Sequence, residues 1–212
     1  MNAEFATAPR VSVIGLGNIL LGDDGFGPCA VEMFRCKYEC GPDVEILDLG
    51  TPGVDLAPYL YGRGLVVLLD ALDAAHTPGT LCICRWNAIA PSQVKLRLTG
   101  HDPGVAEALT QLYMLDQAPH ELVVIGAVPK SCEFNKGISS EVFRTACIAV
   151  DHIAGLLLDY GVRCVRRSAS LRPNLWWLDD SATSACCTDI VLARHTATRR
   201  TMPSSESVEN SL

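Results

Sequence analysis

The sequence predicts a three-layer α/β/α fold, a mostly parallel twisted sheet flanked by helices on both faces. Three observations carry this expectation. Val11–Leu16, Gly64–Asp70 and Glu121–Val128 are short, β-branched, continuously apolar runs, the pattern of strands buried on both faces. Helically spaced apolar residues separate the runs, and such strand–helix alternation gives parallel pairing through right-handed crossovers. Each strand is followed by glycine, proline or aspartate, so the turns gather at the carboxyl edge of the sheet.

In chain order, Val11–Leu16 opens the sheet and runs into a turn punctuated by Gly15, Gly17, Gly22, Gly25 and Gly27. From Gly25 to about Tyr38, Phe26, Ala30, Met33 and Phe34 recur at helical spacing, and Gly41-Pro42 ends the segment. Val44–Asp48 reads as a second strand, Leu49–Gly53 as a turn and Asp55–Tyr61 as a brief helix. Gly64–Asp70 is the clearest buried strand. After Pro78-Gly79, Thr80–Trp86 alternates and belongs near the sheet edge. In Gly100-His-Asp-Pro-Gly104 an aspartate precedes proline, an N-cap followed by proline at the first helical position, and Val105, Leu109 and Leu112 continue the helix. Glu121–Val128 is another strand. Ile138 to about Tyr160 is a long amphipathic helix with Val142, Ala146, Ala149, Ile153 and Leu157 on one stripe. Arg163–Arg167 is either a last strand or the exit from the core.

Residues 1–167 are thus expected to form one domain and 168–212 a C-terminal extension. Its end, from Thr196, lacks aromatic residues and periodicity and is expected to be disordered. Trp176-Trp177 is expected to pack on its own domain. A formal net charge of -7 argues against nucleic acid, because phosphate binding needs a basic face rather than an acidic balance. No apolar run approaches the roughly 18 residues of a membrane span, and no signal-peptide core is present, so a cytoplasmic protein is expected; a monomer is expected as well. The ten cysteines are expected to be reduced, because disulfide scaffolds are short secreted chains and several cysteines here lie within apolar patterns; no two pairs have zinc-finger spacing, so a structural zinc site is not expected.

A dinucleotide-binding turn is rejected by spacing, since the third glycine it needs would fall at Leu20. Asp23 and Asp24 also occupy the helix start where a pyrophosphate would sit. Asp24 after the first strand, Asp48 closing the second and Asp70 closing the third share one edge, which suits a metal ion or acid–base chemistry. Each also has a plain alternative: Asp23 or Asp24 as a helix cap, Asp48 as an Asx turn, Asp70 as a cap of the next segment. For Asp23 the cap is the favoured role. Of the five histidines, His101 stands apart, on a loop with rigid flanks just before a helix, where imidazole can serve as a nickel or zinc ligand.

The collinear segments Gly-Leu-Gly-Asn-Ile-Leu-Leu-Gly-Asp-Asp-Gly-Phe-Gly, Glu45–Gly53, Leu65–Ala71, Pro78–Thr80, His101 and Val124–Pro129 resemble the hydrogenase maturation endopeptidases over residues 11 to about 167. The resemblance implies an aspartic-type endopeptidase that removes a short C-terminal peptide from the precursor of a nickel-iron hydrogenase large subunit. It implies metal binding by Asp24, Asp70 and His101, with Asp48 a further catalytic candidate, and nickel supplied by the client. Many relatives carry glutamate where Asp24 stands and serve the histidine with a preceding serine where Gly100 stands. No His-Glu-x-x-His is present, so an autonomous zinc protease is not expected. A non-catalytic nickel-binding insertion factor using the same ligands is the competing expectation.

Overall fold

The computed structural model describes residues 10–87, 104–169 and 171–178. The chain divides into two compact units, Met1–Leu178 and Asp179–Leu212, and every described residue belongs to the first.

Strand β1 (Val11–Leu16) lies inside a five-stranded sheet. It is flanked by β3 (Val44–Gly50) and β4 (Leu65–Ala71), and beyond β4 come β6 (Glu121–Ala127) and β5 (Leu81–Asn87). The pairings β3–β1–β4–β6 are parallel and β5 closes one side antiparallel to β6. Every residue of β1 and β4 is buried, as continuous apolar runs require in a covered parallel sheet.

Helices α1 (Phe26–Lys37) and α4 (Ser140–Asp159) pack together over one face. Phe26, Ala30 and Phe34 are fully buried, as is Val31, whereas Met33 is only half-buried. The α4 stripe is buried throughout, from Val142 to Leu157. The opposite face carries a 3-10 turn (Gly53–Leu56), α2 (Ala57–Leu60) and α3 (Gly104–Met114). There Leu56, Leu60, Val105 and Leu109 join Ile14, Val66, Leu68 and Val124 in one core cluster. The three layers are those the apolar patterns specify.

Two corrections concern the segments next to the helices. The chain leaves α1 at Lys37, and Tyr38–Cys40 is a strand, β2, rather than the last turn of the helix. It pairs antiparallel with β7 (Cys164–Arg166) in a separate two-stranded ribbon, so Arg163–Arg167 contributes a strand outside the main sheet. That register sets Cys40 opposite Cys164, and the two form a disulfide; Cys147 is disulfide-bonded as well. The expectation of uniformly reduced cysteines is therefore overturned. Three-residue strands leave no periodicity to read, so nothing in the sequence signals that residues 124 apart meet.

Residues 171–178 run back along α1. The Leu171 amide donates to the Cys36 carbonyl and the Asn174 amide to Glu32 Oε1, while Leu175 is buried. Trp176 stands in solvent, 71% exposed, and meets half-buried Trp177 edge-on. No helix among the described residues is long and apolar enough to cross a membrane.

Candidate active site

The carboxyl edge of the sheet is built by close backbone packing. Gly17 has φ +121° at the end of β1, and a side chain there would strike the Asp24 backbone. Gly27, in the first turn of α1, packs against the main chains of β1 and β4, and Gly15 lies under Gly27. These contacts fit only glycine, and they press the turn Asn18–Gly25 down onto the strand ends.

Asp23 and Asp24, adjacent in sequence, do different work. Asp24 is 6% exposed, and its Oδ2 accepts the Asn18 amide at 2.7 Å, which closes the turn on itself. Asp23, 1% exposed, is no cap for α1: Gly25 holds the N-cap position and no side chain caps there. Its carboxylate instead accepts from the amides of Lys130 (2.7 Å), Ser131 (3.2 Å) and Ser139 (2.5 Å), and from the Ser139 hydroxyl (3.0 Å). Ser139 is itself the N-cap of α4, accepting the Val142 amide. Asp23 thus pins both ends of the β6–α4 loop, a structural duty that fixes Asp24 beside it.

Asp70 closes β4, 3% exposed, its Oδ1 accepting the amide of Ala71 at 2.7 Å. Register separates it from Asp48. Asp48 lies opposite Gly15, which in turn lies opposite Leu69. Paired residues of parallel strands share a face, so Asp48 lies on the α1 side and Asp70, one step on, lies on the α2/α3 side. Asp48 is exposed, and its Oδ1 accepts the Gly50 amide at 3.2 Å, the Asx turn open to it on sequence grounds. The three aspartates therefore share an edge, but Asp48 does not share a face with Asp70. His101 lies outside the described residues, and among those described no group of three His, Cys, Asp or Glu forms a metal cage.

Cys132 is a neighbour that sequence reasoning passed over. Although the residue is exposed, its sulfur is partly desolvated against the turn, and desolvation first, then the charges of Asp24, Asp23 and Asp70, pushes its thiol up to about 11. The charges of Asp24 and Asp70 both act on this one sulfur. A lone cysteine in a polar loop offers no periodicity or spacing by which it could have been found. The Pro78-Gly79-Thr80 segment completes the edge: Gly79, at φ +80°, packs on Glu141 of α4, and Thr145 Oγ1 donates to the Gly79 carbonyl.

Residues 28–155 match the family model described as hydrogenase maturation protease. The chain belongs to that family. It is a peptidase. The protease is 34% identical over 163 residues to the hydrogenase expression/formation protein HupD of Bradyrhizobium diazoefficiens, covering 76% of this chain and 85% of the relative. It is 31% identical to the hydrogenase 2 maturation protease of Escherichia coli, over 76% of this chain and 98% of that one. Among solved structures, the hydrogenase maturating endopeptidase HybD from E. coli superposes with a TM-score of 0.69 at 31% identity, covering 75% of this chain and 98% of that one. The mostly parallel α/β fold read from the sequence is the fold of these relatives.

Proposed function

We propose that this maturation protease removes a short C-terminal peptide from the precursor of a nickel-iron hydrogenase large subunit, in the cytoplasm, after nickel has been inserted. The supporting observation is the pair of nearly buried carboxylates, Asp24 and Asp70, both at the carboxyl edge of the sheet and both acting on the Cys132 sulfur. Two carboxylates leave coordination positions open, and an imidazole from His101 would add the nitrogen donor that suits nickel already carried by the client. Nickel is then part of the substrate, and specificity comes from the client.

The chain's own residues would hold the client's nickel through the carboxylates of Asp24 and Asp70 and the imidazole of His101, fixing the scissile segment beside them. One of those carboxylates accepts a proton from the attacking water as its oxygen adds to the peptide carbonyl. The proton then passes to the departing amine as the carbon–nitrogen bond breaks. In this aspartic-type scheme Asp48, turned to the other face and engaged by Gly50, shapes the loop rather than serving as base.

The test is the mass of a purified precursor, nickel-loaded or nickel-free, after incubation with the protein or with Asp70→Asn, His101→Ala and Asp48→Asn variants. Loss of a C-terminal peptide only from the nickel-loaded precursor is expected, abolished by the first two substitutions and retained by the third. Binding of nickel-loaded precursor with no change in mass would refute the protease and favour the insertion factor.

A further inference from the structure

The loop between β6 and α4 is built to hold an apolar side chain out in solvent. Asn135 and Gly137 have φ of +60° and +64°, so the loop turns sharply twice. Asp23 pins it at Lys130, Ser131 and Ser139, and a Glu133–Lys136 ion pair of 2.8 Å crosses its tip. At that tip Phe134 is 65% exposed. The Asn135 amide donates to the Leu20 carbonyl at 2.8 Å, which ties the backbone next to Phe134 to that of Leu20, itself 45% exposed. Single exposed apolar residues are ordinary, but two from different loops, braced together on fixed backbone, make a preorganised contact.

The brace continues into the active site. Leu20 donates its amide to Asn18 Oδ1, and Asn18 donates its own amide to Asp24 Oδ2. A body seated on Leu20 and Phe134 is thereby held in fixed register with Asp24. The surrounding charge selects its chemistry. Asp48, Asp55 and Asp73 are exposed on this edge; among the described residues there, Lys130 and Lys136 are each held by a glutamate, Glu141 and Glu133, and Arg144 is exposed one turn into α4. Arg10, Arg63 and Arg85 lie by the opposite edge, where β1 and β4 begin and where Arg85 pairs with Glu121 at the start of β6.

We propose that Leu20 and Phe134 form an apolar knob that docks into a lysine- or arginine-rimmed apolar pocket of the hydrogenase precursor, beside the segment to be cut. The client's identity rests on the function proposed above; the chemistry of its docking site rests on this patch. A buried aromatic anchor ringed by charge is the usual source of affinity and steering at such contacts.

The experiment measures the Kd of full-length protein for nickel-free precursor, and the KM for nickel-loaded precursor. Phe134→Ala is expected to raise both by on the order of tenfold, with Phe134→Leu recovering most of the loss. Raising salt from about 50 mM to about 500 mM is expected to weaken wild-type binding, because exposed charges are screened. Leu158→Ala, exposed on α4, is the control and should bind as wild type. Phe134 being exposed, its variants should melt with the wild type. A Phe134→Ala Kd within about twofold of wild type, or binding indifferent to salt, would overturn the docking proposal while leaving the protease intact. Wild-type binding without cleavage would overturn the protease but not the dock, and no binding at all would overturn both.

Discussion

Replacing Asp23 by alanine separates scaffold from chemistry, because its neighbour Asp24 is a proposed metal ligand and Asp23 is not. Asp23 accepts four hydrogen bonds through two oxygens while 1% exposed. A hydrogen bond to a charged group contributes about 1.5–3 kcal/mol, which would suggest at least about 6 kcal/mol if the four were independent. They are not independent, since they share one carboxylate, and Lys130 and Ser131 lie near enough to solvent for water to replace part of the loss. About 3 kcal/mol is the expected cost, or a melting temperature lower by about 6–12 °C for a chain of this size. Asp23→Asn should cost nearly as much, because its amide nitrogen would face backbone donors. The assay is denaturant unfolding together with limited proteolysis, and the first new cleavage should fall within 130–139. A loss below about 1 kcal/mol, or a loop as resistant as before, would refute the assignment of Asp23 as the loop's anchor.

Gly17→Ala should cost on the order of 3 kcal/mol or more and abolish precursor processing, since its Cβ would strike the Asp24 backbone at a left-handed φ; far-ultraviolet dichroism melts and precursor mass check both. Reduction of the Cys40–Cys164 bond, or Cys40→Ser, should lower stability by up to about 4–5 kcal/mol, the loop-closure value for so long a loop, read as a melt with and without reductant. Cys132 should react slowly with iodoacetamide at neutral pH despite its exposure. Its thiol is pushed up to about 11, so the reactive thiolate is scarce below that pH and grows as pH rises towards it; mass spectrometry across a pH series reads the rate. Fast labelling at neutral pH would contradict this placement beside the carboxylates.

The sequence alone determined the layers and the edge on which the aspartates gather. Val11–Leu16 and Leu65–Ala71 are apolar along their length because both faces of their strands are covered, and the stripe from Val142 to Leu157 is buried because helical spacing aims it inward. Asp70 was placed for the same reason, since a carboxylate at the end of a buried strand of a parallel sheet has one edge on which to emerge, and Asp24 lies in the turn that follows β1 on that edge. The tertiary structure decided which groups meet there. Whether Asp48 faces its fellows depends on a one-residue register with β1, and the partners of Asp23 lie 107 to 116 residues away. The meeting of Cys40 with Cys164, and of Leu20 with Asn135, likewise depends on where the loops return after the sheet has formed. Periodicity is a local property that burial writes into the chain. The pairing of polar groups across more than a hundred residues is geometric, and only the folded topology brings it about.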